Sequence, residues 1–192
     1  LVNRHIFNLS FYKGKREGAL VLLVFILLLC PFQRVNAQFN TDRLMISGRS
    51  ALYYEDYVLS IQYFNQVLTA KPYLYEPWFF RGLAKFYLDD FSGAEADVTK
   101  AVELNPYIYN MYELRGLCNI RQNKYALAIA DYDNSIRLNP QNQAAWYNRA
   151  LCRVELKDYA KAQLELDTVV TRWKKFAGAY TLKAQIYLAQ KD

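Results

Sequence analysis

The feature that most constrains the fold of this chain is an internal repeat with a fixed period. The segments AEADVTKAVELNP (residues 94–106) and AIADYDNSIRLNP (residues 128–140) begin thirty-four positions apart and both close on Leu-Asn-Pro. A fixed period of this length is typical of arrays in which each unit buries its apolar face only against its neighbours. The sequence therefore predicts a stack of similar units rather than one closed core.

The repeat can be followed along the chain by writing the sequence in rows of one period each. Four complete rows and one partial row result, over residues 41–74, 75–108, 109–142, 143–176 and 177–192. Pro72, Pro106 and Pro140 close the first three rows, whereas the fourth row has Lys174 at this place. Because proline cannot continue a helix, we expect it to turn the chain into the next unit. The proline pattern therefore does not predict how the chain turns into the fifth row.

Two columns of the rows carry a constant kind of side chain. A large, mostly aromatic residue is followed four positions later by a very small one. These columns are Leu44, Trp78, Tyr112, Trp146 and Tyr180, then Gly48, Gly82, Gly116, Ala150 and Ala184. Apolar spacings of three and four predict helices, and polar runs such as LDDFSG and RQNKY divide each row into two of them. Glycine inside a helix costs about 0.5–1 kcal/mol, so we attribute the small column to close helix packing.

These rows resemble the tetratricopeptide repeat in their period, in the order of large and small columns, and in the closing ELNP and RLNP. The resemblance covers residues 41–192. It implies an all-α fold, a right-handed α-solenoid of antiparallel helix pairs with four complete repeats and the first helix of a fifth. It also implies a concave groove lined by the first helix of each pair.

A second regularity places an arginine sixteen residues before a carboxylate in three successive rows. The pairs are Arg81 with Asp97, Arg115 with Asp131, and Arg149 with Glu165. In the first row both members are missing together, because Ser47 and Tyr63 occupy these places. We interpret the pairs as structural ion pairs between the two helices of each unit, without a catalytic role.

The first 37 residues have a different pattern from the repeats. The basic segment KGKREG precedes the apolar residues 19–30, and PFQRVNA then ends at Ala37. Twelve helical residues span about 18 Å, less than the roughly 30 Å of a bilayer core. This pattern is typical of a secretory signal peptide cleaved between Ala37 and Gln38. We therefore expect export to the periplasm or cell envelope; the alternative is an uncleaved anchor that holds residues 19–30 in the inner membrane.

Composition and charge exclude several classes of function. The net charge is +6, but removing the five basic residues and one acidic residue of the leader leaves 19 basic and 17 acidic residues, with no basic run. Nucleic acid is therefore not an expected partner. The only histidine, His5, lies in the leader, and no phosphate-binding loop, paired metal ligands or nucleophile–base arrangement follows it. We predict no catalytic residue, cofactor, metal or small-molecule substrate.

Two cysteines, Cys118 and Cys152, lie one repeat period apart. They occupy equivalent places in successive units, so a bond between them is not expected. We interpret both as small core residues.

The resemblance implies that first-helix residues not used for packing line the groove. These residues are Met45, Arg49, Phe79, Leu83, Phe86, Tyr87, Glu113, Arg121, Tyr147 and Glu155. Their mixture of aromatic and apolar side chains with a few charges suits a protein or peptide partner. For each aromatic residue the alternative is packing against the neighbouring unit.

One branch of this family grips the C-terminal carboxylate of heat-shock chaperones with a clamp of Lys, Asn and Arg. The corresponding places here hold Met45, Phe79, Glu113 and Tyr147, so that function is not expected. The sequence instead predicts a non-catalytic protein-interaction scaffold. The alternative is the sensing or docking region of a larger membrane-anchored protein whose effector domain lies beyond residue 192.

Overall fold

A computed structural model describes residues 40–191, so the predicted leader, its cleavage site and the alternative anchor lie outside the described residues. The chain divides into two compact units, residues 1–43 and 44–192, and the helix packing below belongs to the second. The helices are α1 (residues 40–53), α2 (Tyr57–Ala70), α3 (Tyr75–Tyr87), α4 (Phe91–Leu104), α5 (Tyr109–Arg121), α6 (Tyr125–Leu138), α7 (Gln143–Glu155), α8 (Tyr159–Arg172) and α9 (Ala177–Ala189). No strand occurs among residues 40–191, and the prediction of an all-α solenoid is confirmed.

Each helix packs mainly against the helix before it and the helix after it in the chain. The first helices of successive pairs also touch directly, as α3 does with α5 and α7 with α9. Buried apolar residues accordingly form separate clusters that each join neighbouring helices. The interior is therefore a series of inter-helix layers, as expected when no unit can bury its apolar side alone. Within residues 40–191, no helix combines the length and apolar character needed to cross a membrane.

The turn inside each pair depends on one residue with a left-handed backbone. These residues are Glu55, Asp89, Asn123 and Lys157, with φ between 58° and 62°. A single left-handed residue ends a helix sharply, although it is less favourable for side chains other than glycine and asparagine. In three of the four turns the next residue is an aspartate whose carboxylate accepts a hydrogen bond from the backbone N–H three positions later. The polar runs in the sequence therefore encode both the end of one helix and the start of the next.

Side chains of the large aromatic column stabilise the turn between pairs by hydrogen bonding. From the second row onward, the indole or phenol group donates a hydrogen bond to the backbone carbonyl six residues earlier. These bonds join Trp78 to Pro72 (2.8 Å), Tyr112 to Pro106 (3.1 Å), Trp146 to Pro140 (3.1 Å) and Tyr180 to Lys174 (3.1 Å). The fourth bond shows that the turn into α9 forms without proline, because the carbonyl of Lys174 accepts the same hydrogen bond.

The small column lies against the second helix of the same pair. A Cβ atom added to Gly82 would lie 2.8 Å from Val98 Cγ2, and one added to Gly116 would lie 2.8 Å from Tyr132 Cζ. Both contacted residues follow their glycine by sixteen positions, so the two glycines occupy equivalent surroundings. Close helix approach thus accounts for glycine in the middle of α3 and α5.

Replacing Gly116 by alanine is expected to lower the free energy of unfolding by up to about 2 kcal/mol. The added methyl group presses on the buried Tyr132 ring, and overpacking of this kind costs about 1–3 kcal/mol. Part of this cost is offset by the better helix propensity of alanine, about 1 kcal/mol. Denaturant unfolding followed by circular dichroism measures the difference.

Gly178→Ala in α9 is the matched control. A Cβ at Gly178 would meet nothing closer than the ring of Phe176 at 3.5 Å, which is an ordinary contact. This variant should be as stable as the parent protein or slightly more so. Equal stability of the Gly116 and Gly178 variants would contradict the packing role of the small column.

The two repeat-region cysteines are both buried and both free. Burial away from water raises the pKa of the Cys118 thiol to about 12, and burial raises the pKa of Cys152 to about 12 as well. A thiol in this state is a small apolar side chain with little thiolate character. Both residues therefore contribute to packing in the helix layers.

Candidate functional site

The arginine–carboxylate pairs lie between the two helices of a unit. Nη2 of Arg81 is 2.6 Å from Asp97, Nη2 of Arg115 is 2.6 Å from Asp131, and Nε of Arg149 is 3.1 Å from Glu165. The three carboxylates are between 3% and 8% exposed. An inward-facing carboxylate held by an arginine fixes two helices to each other and is not accessible to a substrate. These pairs belong to the framework and not to a reactive site.

Each buried carboxylate also has a second partner on the first helix, one turn after the arginine. Lys85 Nζ lies 2.8 Å from Asp97, Asn119 Nδ2 donates to Asp131 at 3.0 Å, and Arg153 Nε donates to Glu165 at 2.7 Å. The second partner is thus a cation in two units and a neutral amide in the third.

The same arginine column also reaches backward to the preceding unit. The partners lie sixteen residues earlier: Asn65 for Arg81 (2.7 Å), Asp133 for Arg149 (2.6 Å) and Asp167 for Lys183 (2.5 Å). Arg81 and Arg149 therefore each join the second helices of two successive units. The sequence carries this signal as a polar residue sixteen positions before each cation, in addition to the carboxylate sixteen positions after each arginine.

The predicted groove position of Met45 is wrong. Met45 is only 7% exposed and packs with Phe64 and Val67 in the core layer between α1 and α2. An unbranched apolar side chain fills irregular core gaps well, so burial is its more stable placement. Met45 is therefore unavailable to a partner.

The other nine predicted groove residues differ in exposure. Phe79, Leu83 and Phe86 are half-buried and pack against the core layer that contains Met111 and Leu114. That layer contains residues of both α4 and α5, so these three side chains contribute to packing among the helices. Glu113 and Tyr147 are also half-buried; the exposed residues are Arg49, Tyr87, Arg121 and Glu155.

Three of the exposed groove residues already have contacts within the chain. The guanidinium carbon of Arg49 lies 5.7 Å from the centroid of the Phe80 ring. The ring of Tyr87 stacks on Tyr57 of α2, with centroids 5.0 Å apart. Arg121 lies over the ring of Phe91 at 4.5 Å and forms an exposed ion pair with Asp89 at 3.2 Å. These contacts order the side chains along the first helices but do not enclose a ligand.

A concave surface that is open to solvent occurs instead at the turns between α6 and α7 and between α8 and α9. A cavity of about 570 Å³ is bounded by aromatic rings and side-chain amides. The residues around it are Tyr109, Asn139, Gln141, Asn142, Gln143, Ala144, Tyr147, Asn148 and Phe176. Of the predicted groove residues, only Tyr147 lies here, where its ring meets Phe176 edge to face at 5.1 Å.

A second cavity, of about 490 Å³, shares Gln143 and Phe176 with the first. Its other residues are Arg172, Trp173, Lys174 and Lys175. Three of these are cationic, and no carboxylate is among the residues around either cavity. We call the two adjoining cavities the edge site.

Local structure explains how the edge site is held. Asn142 caps α7 by accepting a hydrogen bond from the N–H of Ala145, and its amide donates to Glu113 Oε2 at 3.1 Å. Arg172 donates to the carbonyl of Pro140 at 3.3 Å and lies 5.2 Å from the ring of Trp146. The chemistry available is therefore aromatic faces for apolar groups, amides for backbone groups and cations for a carboxylate.

The fold is that of a helical-repeat protein, and comparison with known families agrees. The sequence profile of the tetratricopeptide repeat matches residues 81–133 and 120–166. The chain therefore contains tetratricopeptide repeats. A comparison with curated proteins found no significant match.

Three solved structures of other proteins illustrate the similarity of fold. A crystal structure of MamA protein is 21% identical, covers 79% of this chain and 83% of its own, and has a TM-score of 0.75. The first repeat domain of Spaghetti (RPAP3), bound to an HSP90 peptide, is 26% identical and covers 62% of this chain and 94% of its own, with a TM-score of 0.60. YrrB, described as a repeat protein with an unusual peptide-binding site, is 20% identical and covers 71% of each chain, with a TM-score of 0.67.

Proposed function

We propose that this chain is a non-catalytic protein-interaction scaffold that binds a peptide segment of a protein partner through the edge site. The observation that carries the proposal is the pairing of an aromatic–amide cavity with a cationic one, joined at Gln143 and Phe176. A peptide with an apolar residue close to an aspartate or glutamate complements both halves. On the first helices, Tyr87 and Glu155 are exposed and offer further contacts.

Several properties of known repeat arrays support this proposal. The RPAP3 domain is bound to an HSP90 peptide, and YrrB is described by its peptide-binding site, so the fold accommodates extended ligands. The chaperone peptide itself is not the proposed ligand, because Phe79, Glu113 and Tyr147 occupy places where that clamp needs other side chains. Electrostatic complementarity should instead select an acidic segment and increase its association rate.

Selection from a random peptide library on the immobilised chain tests the proposal. The selected peptides are expected to be enriched in aspartate and glutamate next to an apolar residue. Tyr147→Ala and the pair Lys174→Ala with Lys175→Ala should each weaken a selected peptide by tenfold or more, since anchors in such sites contribute about 2 kcal/mol. Fluorescence anisotropy at two salt concentrations measures the affinities and their ionic component.

Two matched variants separate the edge site from the rest of the surface. Tyr54→Ala removes an exposed tyrosine far along the chain from the edge site and should leave the affinity unchanged. Phe79→Ala with Tyr87→Ala tests the groove. Peptides without acidic enrichment, or an affinity that only the groove variant lowers, would refute the edge-site assignment.

We also propose that the chain is exported to the periplasm or cell envelope after cleavage between Ala37 and Gln38. The support comes from the basic start, the short apolar segment of residues 19–30 and the small residue at the cleavage site. N-terminal sequencing of the protein recovered from the exported fraction should begin at Gln38. Recovery of an intact start in a membrane fraction would instead favour the anchor.

A further inference from the structure

The turn between α1 and α2 presents aromatic rings and carboxylates together on the surface. It consists of Tyr53, Tyr54, Glu55, Asp56 and Tyr57, and we call these residues the α1–α2 turn. Tyr53 is 81% exposed and Tyr54 is 77% exposed. Their rings meet each other edge to face at 5.2 Å and contact no other aromatic ring among residues 40–191. Exposed aromatic side chains of this kind are typical anchors of protein interfaces.

The carboxylates of the α1–α2 turn have no cationic partner. Neither Glu55 nor Asp56 forms an ion pair within residues 40–191, and both are exposed. Asp56 accepts a hydrogen bond from the backbone N–H of Leu59 at 3.1 Å, so this carboxylate caps α2. Glu55 has no such role, and its charge is therefore available to a partner.

The other turns inside pairs do not offer the same combination. In the second of these turns, Asp89 forms an ion pair with Arg121 at 3.2 Å. The third turn contains Lys124 and the fourth contains Lys157. Among the described residues, the α1–α2 turn is therefore the turn inside a pair that combines two unpaired carboxylates with highly exposed tyrosines.

The edge site has the complementary groups. Lys174 and Lys175 are exposed, and neither forms an ion pair within residues 40–191. The rings of Tyr147 and Phe176, with the side-chain amides around them, suit the ring and the hydroxyl of a tyrosine. The two cavities, of about 570 Å³ and 490 Å³, have the size of ligand pockets, about 300–1,000 Å³. A tyrosine followed by a glutamate therefore matches both halves of the edge site.

We propose that the partner of the edge site is a second copy of this chain, which binds there through its α1–α2 turn. Tyr54 of one copy enters the aromatic–amide cavity of the other, and Glu55 lies against Lys174 and Lys175. The inference rests on the proposed function, because it names the partner of the edge site. Opposite charges on the two surfaces favour the encounter of the copies and fix their orientation.

The contact forms between molecules and not within one. Turns inside pairs and turns between pairs lie at opposite ends of antiparallel helices, and a helix of 14 residues such as α2 is about 21 Å long. The α1–α2 turn also belongs to the first row, whereas the residues around the edge site belong to the third and fourth rows. An α1–α2 turn therefore reaches the edge site of another copy and not its own.

The two surfaces differ, so the contact is heterologous. After two copies bind, one α1–α2 turn and one edge site stay unused, and further copies add until a ring closes or a filament forms. A contact made by one turn buries a small area, and interfaces of small area are weak. We therefore expect assembly that grows with protein concentration.

Sedimentation velocity of the purified full chain at increasing concentrations tests the proposal. The weight-average sedimentation coefficient should rise with concentration, and high salt should reduce this rise by screening the charges. Tyr54→Ala should weaken association tenfold or more, although it leaves the affinity of a library-selected peptide unchanged. A parent chain that stays monomeric but binds selected peptides at the edge site would refute the second copy as partner and leave the proposed function standing.

Two variants that each block one half of the contact give the decisive measurement. Glu55→Lys blocks the α1–α2 turn, and Lys157 shows that lysine accepts the same left-handed backbone in the fourth turn, with φ of 60°. The pair Lys174→Ala with Lys175→Ala blocks the edge site. Each variant alone should stay monomeric where the parent chain associates. Their mixture should form a one-to-one complex, because one variant keeps its edge site and the other keeps its α1–α2 turn.

Glu103→Lys is the matched control, because it makes the same change of charge at an exposed residue of α4 and should associate as the parent chain does. All substituted residues are exposed, so thermal unfolding followed by circular dichroism should give the parent stability. Association that Glu55→Lys or Tyr54→Ala leaves unchanged, or a mixture of the two blocked variants that stays monomeric, would overturn the proposal.

Discussion

Tyr132→Ala is expected to lower the free energy of unfolding by about 3–5 kcal/mol, the usual cost of removing a buried aromatic ring. Tyr132 is fully buried, faces Gly116 across the helix pair and belongs to the layer that joins α6 to α7. Its loss leaves a void that the glycine opposite cannot fill. Because each unit is stabilised mainly by its neighbours, the loss should also weaken coupling between the third and fourth units. Denaturant unfolding should then show a lower midpoint and a broader transition.

Tyr107→Ala is the matched control for this variant. Tyr107 is 78% exposed in the turn before α5, so its removal should change stability by less than about 0.5 kcal/mol. If Tyr132→Ala and Tyr107→Ala lose similar free energies of unfolding, the contact of Tyr132 with Gly116 is not a major source of stability.

Asp131→Ala is expected to destabilise the protein by about 3 kcal/mol, because it leaves the partly buried Arg115 guanidinium without its carboxylate. Asp131 accepts hydrogen bonds from Nε and Nη2 of Arg115 and from Nδ2 of Asn119. The side chains of Arg115 and Asp131 are only 21% and 6% exposed, so water cannot readily replace the lost partner.

A double-mutant cycle with Arg115→Ala and Asp131→Ala isolates the interaction. The double variant should be markedly more stable than the sum of the two single losses predicts. The exposed pair Lys100 and Glu103, with 47% and 58% exposure, is the control and should couple by about 0–1 kcal/mol. Coupling of Arg115 with Asp131 no larger than this control would rule out the structural role.

The pH dependence of unfolding in the acid range provides a second test of the role of Asp131. Burial outweighs the hydrogen bonds from Arg115 and Asn119, so the pKa of Asp131 is raised above its usual value. A carboxyl group whose pKa is higher in the folded state binds its proton more tightly there. Its contribution to stability therefore falls as pH rises from the unfolded pKa through the folded pKa. Asp131→Ala should remove that component from the pH dependence of unfolding.

The repeat alone predicts only part of which residues line the groove. Its columns identify which first-helix residues are not needed within a unit, but Phe79, Leu83 and Phe86 pack against a core layer of α4 and α5 residues. The repeat frame cannot separate contact with a neighbouring unit from contact with a partner, since both use apolar side chains. Met45 shows the same ambiguity, resolved by burial in the layer around Phe64.

The edge site could not be derived from the sequence for a related reason. Its residues come from the ends of two rows and the starts of two, and only Tyr147 belongs to a column that the repeat marks as free. The cationic half depends on Lys174 and Lys175, which stand where the repeat departs from its proline. In the sequence that departure suggested an uncertain turn; in the structure it is a well-formed turn that adds charge.

The sequence by itself determined everything that recurs from row to row: the helix pairs, the small positions that let helices approach, and the pairing of Arg115 with Asp131 and its equivalents. These features are local or repeat with the period, so the same physical requirement acts on every row. Only the tertiary structure decided what happens where a row departs from the others, such as the cationic edge at Lys174. The reason is that a cavity or a free charge depends on the combined shapes of side chains from three helices, which no single column of the sequence contains.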